Sequence, residues 1–380
     1  MHKFVALTAL ILLLFGAGSL AATGPAAMHA KDLRIIVLDA DGGAAALFVT
    51  PEGKSLLIDA GFPPGMGNSG ASPSAPPPSS TADRIAAAAA SLGVKKIDYL
   101  LLTHYHVDHL GGVPALLKKL PVDTFIDHGP NREQVPANPT PREVAISPAT
   151  IYPEWPAAWA GHHHMIAKAG QVLHIGSLTI KFVAGDGQLI DAPLPGAGQP
   201  NPLCAGVPQM ERDGGEENVR SLGMLITFGK TRILDLGDLT WNKELGLLCP
   251  VNKIGKADVY FVTGHGMDIS SSPPTAAFDP LVALMQNGRR KGGDEAVFKT
   301  LKTFPDLEGL WQDHYSIRNP DLNTAGDYIA NLDQQPDKGY SIDVDITPAG
   351  KITVTNTRNQ FTRTYEARGA AGASAHRSQD

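Results

Sequence analysis

One short segment constrains the fold of this chain more than any other: Thr103-His104-Tyr105-His106-Val107-Asp108-His109-Leu110-Gly111-Gly112. The apolar run over residues 97–103, which leads into the histidines, predicts a strand. Because side chains alternate along a strand, His104 and His106 point the same way and can bind one metal together. Asp108 and His109 then lie at the turn into a helix, where they can face a second metal. A lone histidine is usually a core or surface residue, but this cluster predicts a metal centre at a strand end.

The ligand types indicate which metals the site prefers. Mixed imidazole and carboxylate ligands suit zinc, and also manganese or iron. We predict two zinc ions, with manganese or iron as alternatives. A bound metal lowers the pKa of its water to around 7 and polarises a substrate oxygen, so hydroxide forms at neutral pH without a serine or cysteine nucleophile. The sequence therefore predicts a metal-dependent hydrolase.

Apolar runs and helical patterns alternate along the chain. Strands are predicted over residues 33–38, 45–49, 55–58, 97–103, 219–228, 231–236, 257–263, 281–285, 341–346 and 351–356, and helices over 81–92, 111–120 and 241–248. Thr81 or Asp83 is expected to cap the first helix. Alternating strands and helices indicate an α/β domain, and hairpin-like runs at both ends make its sheets mixed. The proline-rich stretches 62–80 and 129–165 are predicted to be loops, with His162-His163-His164 in a solvated turn.

Four motifs, in their order along the chain, resemble the metallo-β-lactamase superfamily. They are Leu56-Leu57-Ile58-Asp59-Ala60-Gly61, the HxHxDH string, Leu236-Gly237-Asp238 and Gly264-His265-Gly266. The resemblance covers roughly residues 33–290. It implies an αββα sandwich of two mixed sheets, with outer helices and a metal centre at one edge where strand ends converge. More narrowly, residues 38–43 and 218–238 look like the soluble domain of the competence protein ComEC.

The resemblance also implies a role for each candidate ligand. His104 and His106 would bind one metal, Asp108 and His109 the other, with Asp238 as the bridging carboxylate, His265 as a further ligand of the second metal, and Asp59 orienting the metal-binding turn. Asp108 is also assigned a catalytic role. Many members supply a third histidine to the first metal where this chain has Glu216-Glu217-Asn218. Glu217, Asn218 or His128 is the possible replacement; otherwise the first metal is weakly held or absent.

A basic loop is the candidate substrate-binding segment. Asn287, Arg289, Arg290 and Lys291 follow the predicted strand 281–285, where ligand-facing loops leave an α/β sheet. Such cations among glycines can hold a phosphate or carboxylate, although a solvated basic loop is the alternative. His314 is a candidate proton donor, and Trp311 a candidate lining residue; a surface histidine and a packed tryptophan are the alternatives.

The ends of the chain and its cysteines bear on where the protein works. Lys3 before the apolar run 4–15 predicts a signal peptide over residues 1–22, hence a periplasmic or secreted protein with no membrane segment after cleavage. The domain is predicted over 31–360, with a disordered tail over 367–380. After export, Cys204 and Cys249 are expected to form one disulfide.

A formal net charge of -6 argues against stable binding of duplex nucleic acid, so the expected partner is a small anionic substrate.

These features together predict an exported metal-dependent hydrolase that acts on an ester-like centre. A phosphodiester is favoured because of the ComEC resemblance and the basic loop. A lactonase or β-lactamase-type hydrolase is the alternative enzyme, and a non-catalytic binding protein that retains the fold is the alternative from another class. The sequence leaves the oligomeric state open.

Overall fold

The computed structural model describes residues 31–67, 79–211, 213–332 and 338–369. Its strands are β1 (Leu33–Val37), β2 (Ala46–Val49), β3 (Ser55–Ile58), β4 (Ile97–Leu101), β5 (Val122–Asp127), β6 (His163–Ile166), β7 (Val172–Ile175), β8 (Leu178–Gly185), β9 (Gln188–Leu189), β10 (Gln199–Pro200), β11 (Gly223–Phe228), β12 (Thr231–Asp235), β13 (Val251–Asn252), β14 (Val259–Phe261), β15 (Val282–Met285), β16 (Gly309–His314), β17 (Ile329–Asn331), β18 (Ile342–Ile346), β19 (Lys351–Asn356) and β20 (Phe361–Glu366). Its helices are α1 (Thr81–Ser91), α2 (Val107–Leu110), α3 (Val113–Leu117), α4 (Pro141–Ile146), α5 (Pro148–Ile151), α6 (Glu154–Trp159), α7 (Trp241–Leu248) and α8 (Glu295–Leu301).

Two large sheets contain nearly all of these strands. The first has the order β20-β19-β18-β1-β2-β3-β4-β5-β6, and the second β17-β16-β15-β14-β12-β11-β8-β7, with β9 beside β8. In the first sheet β3 to β6 are parallel and the other neighbours antiparallel. In the second, β12 and β14 to β17 are parallel, whereas β7, β8 and β11 pair antiparallel. Both sheets are therefore mixed, as the sequence predicted.

Apolar residues separate the molecule into four layers. Phe48 and Val344 of the first sheet share one core with Ile226 of the second, so the sheets pack face to face. The other face of the first sheet packs against α1, α3 and α6, and the other face of the second against α7 and α8. Apolar burial is the main stabilising term, and truncating Phe48 to alanine would cost about 3–5 kcal/mol. The predicted αββα sandwich is confirmed.

The helix predicted over residues 111–120 is wrong in its bounds. The structure has two short helices, α2 and α3, on either side of Gly111-Gly112. A Cβ at Gly112 would lie 2.0 Å from the carbonyl oxygen of Ala60, so the backbone passes too close for a side chain. This close approach interrupts the helix.

The helix α1 is capped by Ser80, not by Thr81 or Asp83. The Ser80 side chain accepts from the backbone N–H of Asp83, whose carboxylate accepts in return from the backbone of Ser80. This reciprocal capping box satisfies two N–H groups that the first turn would otherwise leave open. Asp83 therefore belongs to the cap as its third helical residue.

The stretch 129–165 was expected to be irregular, but it contains α4, α5, α6 and part of β6. The predicted solvated turn holds only in part for the histidine triplet: His162 and His163 are exposed, but His163 and His164 belong to β6. His164 lies in β6, its Nε2 is 2.7 Å from an Asp127 carboxylate oxygen, and its ring stacks on Trp159 at a centroid distance of 4.1 Å. The parallel edge of β5 offers unpaired backbone groups to this segment, which explains the extra strand.

The disulfide prediction is confirmed, since Cys204 and Cys249 are bonded with sulfurs 2.06 Å apart. The predicted signal peptide and residues 68–78 of the predicted loop 62–80 lie outside the described residues. The predicted tail is corrected at its start, because Arg368 donates to Asp306 at 2.7 Å and its backbone N–H to Asp258 at 3.0 Å; residues 370–380 lie outside the described part. Among the described residues, no helix is both long and apolar enough to cross a membrane.

Candidate metal centre

The predicted ligands, and Asp59 as their predicted orienting residue, follow strand ends of both sheets. Asp59 follows β3; His104, His106, Asp108 and His109 follow β4; Asp238 follows β12; and His265 follows β14. All are buried except His106, whose side chain is 24% exposed. Residues distant in the sequence meet here because these strand ends converge, so the structure brings every predicted ligand to one place.

Four of these residues form a tight group: Asp108, His109, Asp238 and His265. One potential ligand atom from each lies within 4.8 Å of all the others. The Nε2 atoms of His109 and His265 are 3.1 Å apart. An Asp108 oxygen is 3.1 Å from His265 Nε2, and Asp238 Oδ1 is 3.3 Å from the same nitrogen.

The outer nitrogens of the two histidines show which atoms face the group. His109 Nδ1 is 2.7 Å from Asp59 Oδ2, and His265 Nδ1 is 2.9 Å from the carbonyl oxygen of Gln286. Both partners accept, so each Nδ1 donates its hydrogen outward and Nε2 is the nitrogen that would bind a metal once its own proton is released. Two ring nitrogens and two carboxylates thus converge, and this donor set fits a divalent cation.

His104 and His106 form a second, adjacent group. His104 Nε2 and His106 Nδ1 are 2.9 Å apart. Asp238 links the groups, because its Oδ1 is 3.5 Å from His109 Nε2 while its Oδ2 is 4.0 Å from His104 Nε2. Each oxygen of this carboxylate faces a different set of imidazoles, which is the arrangement a bridging ligand requires.

The sequence comparison agrees with this geometry. Residues 39–180 match the model of the metallo-beta-lactamase superfamily. This segment, about a third of the chain, is therefore similar to that superfamily. It is also 43% identical over 47 residues to a hydroxyacylglutathione hydrolase of Vibrio parahaemolyticus, a match that covers 12% of this chain and 18% of that protein.

Two solved structures are similar to this chain at low sequence identity. The metallo-beta-lactamase fold protein YhfI from Bacillus subtilis matches with a TM-score of 0.42 and 14% identity over 74% of this chain and 96% of its own. A metallo-beta-lactamase from Cronobacter sakazakii, a HARLDQ motif mutant, matches with a TM-score of 0.33 and 17% identity over 59% of this chain and 75% of its own.

Charge and burial oppose each other in this candidate metal site. Burial lowers the pKa of His109, but the carboxylates of Asp59, Asp108 and Asp238 outweigh it and raise that pKa well above its usual value. Burial raises the pKa of Asp238, but His265 and His109 outweigh it and hold the pKa well below its usual value. The group therefore retains its anionic oxygens and attracts positive charge.

His265, the candidate ligand that follows β14 of the second sheet, has a strained backbone conformation. Its φ is 57°, a left-handed value that non-glycine residues rarely adopt, and Gly264 and Gly266 on either side also have positive φ. A Cβ at Gly292 would lie 1.9 Å from the carbonyl oxygen of His265, so neighbouring backbone packs directly on this turn. Such strain persists where surrounding structure fixes it, commonly at functional sites.

Glu217, in the segment where other members have the third histidine, forms a buried pair with His128. Glu217 Oε2 is 3.1 Å from His128 Nε2 and accepts at 3.1 Å from the backbone N–H of Tyr105. Asn218 donates to the Gly214 carbonyl oxygen at 3.0 Å. None of these contacts is with His104 or His106, so the role of replacement ligand remains a prediction for all three residues.

Sequence reasoning missed Glu133. Its Oε1 lies 3.7 Å from His106 Nε2, and its Oε2 accepts from the backbone N–H of Glu217 at 3.0 Å. Burial raises the pKa of Glu133, but His106 and the backbone N–H groups of Glu217 and Glu216 outweigh it and lower that pKa. The available signal was its place in the segment after β5, a parallel strand of the first sheet.

The four residues of the candidate substrate loop have different surroundings. The Lys291 ammonium contacts Asp108 and lies 5.9 Å from the ring centre of Phe62. Arg290 is exposed, whereas Arg289 is buried. Asn287 is fully buried and its amide donates to the carbonyl oxygens of Gly288 and His314, so that amide is engaged within the protein. Lys291 therefore contacts one of the candidate ligands, Asp108.

His314 contacts a buried carboxylate, and Trp311 packs in the core. His314 is buried, and its Nε2 is 2.7 Å from Asp39 Oδ1, with Arg84 3.0 Å from the other oxygen of Asp39. The proton-donor role of His314 thus stays a prediction that these contacts do not support. Trp311 is fully buried in the core between the sheets and donates to Tyr365, so it packs instead of lining the site.

Proposed function

We propose that this chain is an exported, binuclear metal-dependent hydrolase that acts on a phosphodiester or another anionic ester. The observation that carries the proposal is the position of Asp238. Its Oδ1 faces His109 and His265, and its Oδ2 faces His104, whose Nε2 is 2.9 Å from His106 Nδ1. A carboxylate so placed can serve two cations at once, which separates a two-metal hydrolase from a one-metal site.

Some residues would bind the metals, and others orient the metal-binding histidines. Asp108, His109, Asp238 and His265 would hold one metal, and His104, His106 and Asp238 the other. Bound divalent metals lower the pKa of water to around 7 and polarise the ester oxygen. Asp59 fixes the ring of His109 by accepting from Nδ1, and Gln286 does the same for His265 through its backbone. Such outer partners are a general part of metal sites.

An anionic substrate is supported by Lys291. Its ammonium reaches Asp108, so its charge is placed at the rim of the candidate ligand group. With Asp108 serving as a metal ligand, the Lys291 ammonium would be available to bind a phosphate or carboxylate oxygen of the substrate. The resemblance to ComEC favours a phosphodiester, and the short match to a hydroxyacylglutathione hydrolase favours hydrolysis as the reaction class.

Export is part of the proposal and is supported by the disulfide. Cys204 and Cys249 are bonded, and disulfides persist mainly in oxidising compartments. The apolar run after Lys3 supports a signal peptide from the sequence side.

The test compares substrates and metals in one experiment. Zinc-loaded and manganese-loaded protein is assayed against bis-p-nitrophenyl phosphate, a simple lactone and nitrocefin, with chelated protein as the control. We expect metal-dependent turnover that is fastest with the phosphodiester. Faster lactone or nitrocefin hydrolysis would favour the alternative enzyme. Protein purified from zinc-supplemented cells without bound metal or activity would favour the non-catalytic binding protein.

A further inference from the structure

Each histidine of the metal centre has one nitrogen facing inward and one facing outward. Three outward nitrogens have partners in the structure: His109 meets Asp59, His265 meets the Gln286 carbonyl, and His104 Nδ1 lies 3.1 Å from the Thr103 hydroxyl. Thr103 in turn donates to Asp59 at 2.8 Å. The fourth histidine, His106, turns its outward nitrogen to Glu133.

A chain of hydrogen bonds fixes the position of the Glu133 carboxylate. Its second oxygen accepts from the backbone N–H of Glu217, and the Glu217 carboxylate accepts from the backbone N–H of Tyr105, between the two histidines. Glu217 is fully buried and also meets His128. The two glutamates thus contact the ring of His106 and the backbone next to it, which are the two features that set where His106 Nδ1 points.

We propose that Glu133 is the positioning residue of His106, and that Glu133 and Glu217 together stabilise the metal site of His104 and His106 in place of a third histidine ligand. The inference rests on the binuclear centre proposed above. A charged acceptor at Nε2 keeps the hydrogen on that nitrogen and the lone pair on Nδ1, 2.9 Å from His104 Nε2. It also makes the ring a stronger donor to a metal.

Glu133 acts through the ring and not as a ligand of the same ion. The two nitrogens of an imidazole point away from each other, so a group at Nε2 lies on the side opposite a metal at Nδ1. The distance of 3.7 Å is that of an ion pair more than of a short hydrogen bond. We expect this contact to tighten when the inward nitrogen is metal-bound, because a metal increases the positive charge on the remaining N–H.

The test titrates metal-free, full-length protein with Zn²⁺ against a chromophoric chelator, so that the two affinities are resolved. Glu133→Gln removes the charge and keeps the shape, and Glu133→Asp keeps the charge at a shorter reach. Glu143→Gln is the matched control, since Glu143 caps the nearby helix α4 and is exposed. We expect Glu133→Gln to weaken one of the two Zn²⁺ sites by roughly 10–100-fold and to leave the other unchanged, with partial rescue in Glu133→Asp and no change in Glu143→Gln.

A Co²⁺ absorption spectrum and a thermal melt accompany the titration, because a purely structural role would lower the melting temperature without changing the spectrum of one ion. Two unchanged affinities in Glu133→Gln, an equal loss at both sites, or a wild type that binds a single Zn²⁺ would each overturn the inference. A wild type that binds two ions, loses one in Glu133→Gln and hydrolyses none of the substrates would support the inference and reject the proposed function.

Discussion

Replacing Asp238 with asparagine is expected to empty one of the two metal positions. Asparagine keeps the shape of the side chain but has one oxygen where aspartate has two. That oxygen can face His109 and His265, as Oδ1 does, or His104, as Oδ2 does, but not both. The amide nitrogen on the other side cannot bind a metal.

The size of the effect follows from this geometry. Disturbing the partner of a ligand costs 10–100-fold in metal affinity or activity, and a lost ligand should cost at least the upper value, about 100-fold. That factor corresponds to about 2.8 kcal/mol. In the native protein, His265 and His109 hold the pKa of the buried Asp238 carboxylate well below its usual value, so the side chain is negatively charged at working pH. The asparagine variant lacks this charge. We expect metal content to fall from near two per chain towards one.

Elemental analysis after gel filtration, turnover of bis-p-nitrophenyl phosphate and a thermal melt measure the three consequences. Asp235→Asn is the matched control: Asp235 ends β12, is buried, and accepts from the backbone N–H of Gly237, but is not in the ligand group. Burial raises its pKa to about 7, so the neutral amide resembles a form the native residue already populates. Unchanged metal content in Asp238→Asn with a modestly lower melting temperature would refute the bridging role and indicate a structural aspartate.

Three further predictions concern the disulfide, the basic loop and a buried carboxyl. Removing the Cys204–Cys249 bond with a double serine substitution should lower the free energy of unfolding by about 2–4 kcal/mol in urea titrations; two reactive thiols in denatured, unreduced protein would show that no bond forms. Replacing Arg289, Arg290 and Lys291 with alanine should raise KM for a phosphodiester far more than for a neutral lactone, and Lys291→Ala alone should reproduce most of it; equal effects on both substrates would contradict this. Burial, opposed by backbone hydrogen bonds from Ser272 and Ser271, raises the pKa of Glu244 from 4.5 to about 7, so its stabilising contribution is complete below pH 4.5 and is lost as the pH rises through 7. Glu244→Gln should flatten that fall in unfolding free energy, by up to about 3 kcal/mol at 1.4 kcal/mol per pKa unit, and a fall as steep as in the wild type would contradict the assignment.

The local part of the site was predictable because its residues are close in sequence. His104, His106, Asp108 and His109 lie in one strand-to-helix turn, and strand alternation alone directs the first two to the same side. Asp238 and His265 required the family resemblance, since no local pattern says that ends of different sheets meet. Their predicted positions nevertheless converge in the structure.

The rest depended on features that the sequence does not display. The sequence does not distinguish the three adjacent cations. In the folded structure, Lys291 contacts Asp108, Arg290 is exposed and Arg289 is buried. Glu133 lies in a proline-rich stretch with no apolar periodicity, so nothing local connects it with His106. The interruption of the helix at Gly112 comes from the carbonyl oxygen of Ala60, a contact between distant segments that periodicity does not report.

The candidate ligands are divided between the two sheets, four on the first and two on the second, so neither sheet holds either set complete. Any cation that binds there acts as a removable cross-link across the sandwich. By mass action, a cation that binds only the assembled form adds about 4 kcal/mol to its stability when free metal exceeds the dissociation constant a thousandfold. We therefore expect the resistance of this protein to unfolding and proteolysis to rise with the free metal concentration. We also expect metal removal to weaken the packing between the two sheets before it disturbs either sheet.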